Sequence, residues 1–207
     1  MDNNAHSHLE ANGIVTAHRI GTRIVTGAKT PTRKQRPLKP GDERTTPKAF
    51  CDLVMEYRGG KPFGLDPCWN KYSHMPARTK LSRRDDSLRA RYRWHRYRSI
   101  WLQPAYSDPA VFVDKLCRAW LDRNTAPTQY LALLCLDPTT RWFGQIAECG
   151  PAVLLRHRLP FELAGKRDNS ARFSSVLFEL GGTDDNRFKS FWRNYGYILD
   201  DGGEGWD

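Results

Sequence analysis

The 207-residue sequence predicts a single α/β domain with a mostly parallel, twisted sheet flanked by helices. Three observations carry this. Short apolar runs of strand length alternate with segments of helical periodicity from residue 45 onward. Residues 130–136 are continuously apolar, as expected of a strand covered on both faces. Polar motifs stand directly behind the predicted strands, at the edge where open α/β sheets bind their ligands.

The elements follow in order. Residues 1–44 are polar and basic, with three prolines between Pro31 and Pro40, and predict a largely unstructured arm. Within it, segments 13–16 and 23–26 alternate as a small hairpin would. Residues 45–200 hold the predicted domain and 201–207 a polar tail. Thr45-Thr46-Pro47 supplies a capping residue and a first-turn proline, Ala49, Phe50, Leu53, Val54 and Tyr57 fall at helical spacing, and Gly59-Gly60 ends the helix. Phe63-Gly64-Leu65-Asp66-Pro67 reads as a buried strand closed by a proline that cannot extend the ladder. Ser99-Ile100-Trp101-Leu102 is the next strand, and a helix follows Ser107-Asp108-Pro109 with Val111, Phe112, Val113, Leu116, Cys117, Trp120 and Leu121 on one face. After the 130–136 strand, Pro138-Thr139-Thr140 leads into a helix carrying Trp142, Phe143 and Ile146. Residues 152–155 and 174–180 are further strands, and 186–195 an amphipathic aromatic helix.

The formal net charge of +10 and pI near 9.6 favour a polyanionic partner. Nine basic side chains crowd residues 78–98 against only Asp85 and Asp86, with Tyr92, Trp94 and Tyr97 between them. That pattern suits phosphate contact with base stacking, though aromatics so spaced can equally pack beneath the segment. Arg83, Arg84, Arg89, Arg91, Arg93 and Arg96 are the candidate nucleic-acid contacts. No run approaches the roughly 18 apolar residues of a membrane helix, and no secretory leader pattern opens the chain, so a cytoplasmic protein is expected. Five scattered cysteines without a Cys-x-x-Cys pair read as reduced core thiols. A zinc site on Cys68 and His74 would lack two further ligands, so no metal is expected.

The polar motifs, taken in order, are Thr46-Pro47, Leu65-Asp66-Pro67-Cys68, Asp85-Asp86-Ser87-Leu88 and Gln103-Pro104-Ala105-Tyr106-Ser107. Downstream come Asp137-Pro138-Thr139-Thr140-Arg141-Trp142-Phe143 and Arg158-Leu159-Pro160-Phe161. Their order and spacing over residues 45–180 resemble the phage-type (Dam-like) DNA N6-adenine methyltransferases, a family using S-adenosyl-L-methionine. The resemblance implies a Rossmann-like methyltransferase domain acting on an adenine flipped from duplex DNA. It implies that Thr46, Pro47, Asp66, Pro67, Cys68 and Asp86 hold the cofactor. It makes Gln103 and Pro104 the acceptors for the target amine, Tyr106 the stacking platform, and Phe161 with Arg158 the far side of the base pocket.

The catalytic motif departs from the family pattern. Gln103 stands for an asparagine and is one methylene longer, Ala105 replaces a second proline, and Ser87 replaces a glycine. These changes set a second expectation beside catalysis: an inactive, methyltransferase-like DNA-binding protein with an anti-restriction or regulatory role. Adenine methylation of RNA is a third, because stacking on a splayed base does not select the sugar.

Overall fold

The computed structural model describes residue 39 and residues 41–122, 127–168, 173–182 and 184–199. The predicted hairpin at 13–26, most of the N-terminal arm and the polar tail lie outside these residues.

Seven strands form one sheet: β1 (Phe63–Asp66), β2 (Ala77–Lys80), β3 (Ser99–Leu102), β4 (Gln129–Cys135), β5 (Ala152–Leu155), β8 (Ser175–Leu180) and β9 (Gly196–Leu199), in the order β2-β1-β3-β4-β8-β5-β9. A separate hairpin joins β6 (Glu162–Leu163) to β7 (Lys166–Arg167). Helices α1 (Lys48–Tyr57) and α4 (Asp185–Trp192) cover one face, and α2 (Ala110–Leu121) and α3 (Arg141–Ala147) the other.

Alternation along the strands builds both cores. In β4, Tyr130, Ala132 and Leu134 turn to the α2 and α3 side, while Leu131 and Leu133 turn to α1 and α4. On the second face the packing is aromatic: Tyr57, Phe188 and Trp192 meet at centroid distances of 5.6–6.2 Å. Burying each such ring contributes on the order of 2–3 kcal/mol, which makes α1 and α4 one aromatic layer with the sheet.

The sheet is mixed, and the expectation of a mostly parallel one is corrected. Three neighbouring pairs are parallel, β1 with β2, β1 with β3 and β3 with β4, and three are antiparallel, β4 with β8, β5 with β8 and β5 with β9. The reason lies in the connection from β5 to β8, which contains the β6–β7 hairpin and no described helix. Without a helical crossover the chain returns in the opposite sense. A mostly apolar strand such as 175–180, buried at every position, carries no mark of its direction.

Two helix starts differ from expectation. Pro47 occupies the cap of α1 and Pro109 that of α2, each one position earlier than a first-turn proline, and neither cap makes a side-chain hydrogen bond. The last helix ends at Trp192, earlier than the predicted Tyr195, and the chain continues as β9.

One polar cluster crosses the core. Glu179, 1 % exposed, accepts from the Tyr57 hydroxyl at 2.8 Å and from Gln129 Nε2 at 2.6 Å, and Gln129 in turn accepts from Arg58. It ties the end of α1 to β4 and β8 at the amino-terminal side of the parallel strands, away from the motifs that follow β1 and β3.

Candidate active site

The chain leaves β1 toward β2 on one side and leaves β3 toward β4 on the other, although β1 and β3 are neighbours. That reversal opens a crevice beyond their carboxyl ends, the place where open α/β sheets take their ligands. The end of β1 carries Asp66 and the end of β3 runs into Gln103 and Pro104, so the two predicted motifs meet there.

Two adjoining cavities fill the crevice. The smaller, about 40 Å³, is polar, with Asp66, Cys68, Asn70, Ser73, Trp101 and Gln103 in its wall. Asp66 is 2 % exposed and accepts from the Cys68 N–H at 3.0 Å and the Ser73 hydroxyl at 3.5 Å. Burial pushes its carboxyl up from 3.8 to about 7, against the weaker pull of those hydrogen bonds and of the Lys80 charge. Among the described residues no cation pairs with it. A buried carboxylate that no cation contacts directly fits a ligand that brings hydroxyls or positive charge.

The larger cavity, about 240 Å³, has Pro104, Tyr106, Phe161 and Phe173 in its wall. Tyr106 meets Phe161 edge-on at 5.7 Å and Phe173 at 5.0 Å. A dry cavity of about 150 Å³ accepts benzene, so a two-ring base is in scale here. The ring of Tyr106 lines the cavity while its hydroxyl points inward toward the buried Ser175 hydroxyl, neither making a well-formed hydrogen bond. Burial pushes the Tyr106 phenol up, so it stays neutral.

Between the cavities runs a strap, residues 41–46, which contributes Asp42 and Arg44 to both. It is stitched down at several points. Thr45 exchanges two backbone hydrogen bonds with Glu162, at 2.8 and 3.0 Å, and Arg44 Nε meets Asp168 at 2.6 Å. The Ser107 hydroxyl donates to Asp42 at 2.9 Å. Gln103 makes the remaining connection: its Oε1 accepts from the Thr46 N–H at 3.1 Å and the Thr46 hydroxyl at 2.6 Å, and its Nε2 donates to the Arg44 carbonyl at 3.1 Å. Both lone pairs of that side-chain carbonyl are therefore taken. The cap of α1 is Pro47, which has no side-chain group to offer the first turn, and the Thr46 hydroxyl before it is turned to Gln103.

The other predicted positions fall as follows. Pro67 is buried behind Asp66, and Thr46 and Pro47 flank the polar cavity without lining it. Asp86 lies outside both cavities, in the left-handed region at φ +52, and pairs with Arg89 at 3.2 Å. Arg158 is exposed and lines neither cavity. Arg83, Arg84, Arg89, Arg91, Arg93 and Arg96 are all exposed on the crossover from β2 to β3. Trp94 packs in the core instead, 1 % exposed, with its indole N–H on the Ser87 carbonyl. Lys115 of α2 spans the crossover beneath it, donating to the Ser87 and Arg89 carbonyls.

Sequence reasoning missed Asp42, Arg44, Ser73 and Phe173. Asn70 and Ser73 follow the Asp66 motif closely enough to have been found, whereas nothing local marks Arg44 or Phe173.

The fold is a mixed α/β sheet with a polar and an aromatic cavity side by side at its switch point. Over residues 33–180 the sequence matches the family described as DNA N-6-adenine-methyltransferase (Dam). The chain belongs to that family of DNA adenine methyltransferases. No curated protein and no solved structure matches it. Among the described residues no helix is long and apolar enough to cross a membrane, and no three His, Cys, Asp or Glu side chains converge on a metal site.

Proposed function

We propose that the chain transfers a methyl group from S-adenosyl-L-methionine to the N6 amine of an adenine flipped out of duplex DNA, on a Rossmann-like methyltransferase fold. The observation that supports this is the meeting of the Asp66 and Gln103 loops at one crevice, with a polar cavity on one side and an aromatic cavity on the other. The cofactor, when bound, supplies an electrophilic methyl on a positively charged sulfur. The Asp66-Pro67-Cys68 loop with Asn70 and Ser73 holds it, beside the α1 opening at Thr46 and Pro47, and the buried Asp66 carboxylate compensates its charge. The chemistry of the wall fits this ligand. Its volume, far below the roughly 300 Å³ of an ordinary small-molecule site, fits only with the strap displaced.

The adenine stacks on Tyr106 with Phe161 as the second wall. Its amine lone pair is delocalised into the ring, so the site must accept hydrogen bonds from the N–H groups and hold the nitrogen in line. Among the described residues no donor occupies the Pro104 carbonyl, which serves as that acceptor, and the Gln103 carbonyl joins it once released from Thr46. The exposed arginines of the β2–β3 crossover neutralise phosphates.

The test is incubation with cofactor and duplex DNA, followed by mass spectrometry of the digested nucleosides. N6-methyladenine is the expected product. Cofactor binding without it on any substrate, RNA included, refutes the transfer. The saturated Gln103 carbonyl favours one other role, a non-catalytic DNA-binding member of the family, which would show salt-dependent DNA affinity indifferent to the cofactor.

A further inference from the structure

The strap is held on two sides by different means. To the β6–β7 hairpin and the residue behind it the strap is fixed by the Thr45–Glu162 pairing and the Arg44–Asp168 ion pair. To the segment that follows β3 it is held by the three Gln103 hydrogen bonds and by the exposed Ser107–Asp42 hydrogen bond, and to the loop after β1 by an exposed contact from Asn70 Nδ2 to the Glu43 carbonyl at 3.3 Å. Thr46 is 2 % exposed, so the amide that Gln103 satisfies has no water to turn to while the strap is shut. With the strap in this position the polar cavity measures only about 40 Å³.

We infer that Gln103 is a latch, a positioning residue that acts through Thr46 to shut the strap over the Asp66 cavity, so that cofactor entry requires this latch to open. The inference rests on the cofactor assignment made above. The strap then hinges on its attachment to the β6–β7 hairpin and lifts from the β3 side. Gln103 has the reach for this because of its extra methylene. A shorter amide at that position cannot span to Thr46 and leaves the strap free. Opening also releases the Gln103 carbonyl toward the aromatic cavity, so a single movement admits the cofactor and uncovers the second acceptor.

The latch taxes binding, because only the open fraction accepts ligand. Two variants remove it: Gln103→Asn, which keeps the amide and loses the reach, and Gln103→Met, which keeps the length and loses the hydrogen bonds. S-adenosylmethionine affinity is measured by calorimetry alongside hydrogen–deuterium exchange of the peptide covering residues 41–46, with exchange in β8 confirming an intact fold. Both variants are expected to exchange faster at 41–46 and to bind the cofactor about tenfold more tightly, the worth of the hydrogen bonds released. A merely structural glutamine would give weaker binding instead. If exchange rises while all three proteins bind alike, or the variants bind less, the gate is overturned and the functional proposal stands. Unchanged exchange at 41–46 overturns the latch whatever the binding. If none of the three binds cofactor, the functional proposal falls and takes the gate with it.

Discussion

Asp66→Asn should stabilise the protein, and do so only above the pH at which an ordinary aspartate ionises. The carboxyl is buried at the end of β1 without an ion pair, and burial raises it from 3.8 to about 7 against the weaker pull of its hydrogen bonds and of Lys80. A folded state that holds its proton more tightly than the unfolded chain has a stability contribution that is complete below the unfolded value. That contribution is lost as the pH rises toward the folded value. Each pH unit of difference corresponds to about 1.4 kcal/mol, so the shift of roughly three units amounts to roughly 4 kcal/mol, an upper figure that water entering the cavity would reduce. The amide cannot ionise and still accepts from the Cys68 N–H. Variant and wild type should therefore be about equally stable near pH 4, differ by about 3 kcal/mol near pH 6, and level off at about 4 kcal/mol above pH 7. Urea unfolding at pH steps across that range measures it, with equal m-values confirming comparable unfolded states. A difference that is flat with pH would show that Asp66 is not desolvated as described. The same variant should lose cofactor affinity, trading function for stability at one position.

Other perturbations probe the second cavity, the basic crossover and the hairpin. Tyr106→Phe removes a buried hydroxyl without a partner, so stability should hold or rise by up to about 1 kcal/mol with stacking retained, measured by chemical denaturation and base binding. Replacing both Arg83 and Arg84 by alanine should weaken DNA binding uniformly across sequences and lower the slope of log affinity against log salt by about 2. Ala164 sits at φ +53 in the two-residue turn before Gly165, where Asn-Gly is favoured; Ala164→Asn should raise stability by about 1 kcal/mol, seen as a higher Tm.

Much of the fold is legible because burial writes itself into composition. β3 and β5 lie where their apolar runs begin and end, and α2 follows its helical stripe within a residue. β2 escaped because it is an edge strand whose alternate positions are Arg78 and Lys80, so it reads as part of a basic segment. β9 escaped because four residues after an aromatic helix give no period of their own. The convergence of Asp66 and Gln103 was legible from their places behind adjacent strands. The strap was not: its residues are polar and aperiodic, and its position is set by partners as far as 117 and 124 residues away. For the same reason the tie between Gln103 and Thr46 could not be read from a motif, since family resemblance assigns that carbonyl to a substrate.

The place of β8 bears on how the molecule is made. It lies between β4 and β5, buried at all six positions, yet it comes later in the chain than both. Until a ribosome has delivered residue 180, β4 and β5 have no strand to join them, and each faces its surroundings with unpaired backbone and apolar side chains. The nascent chain thus carries a four-stranded sheet and one solitary strand, β5, which β8 joins to it before β9 closes the far edge.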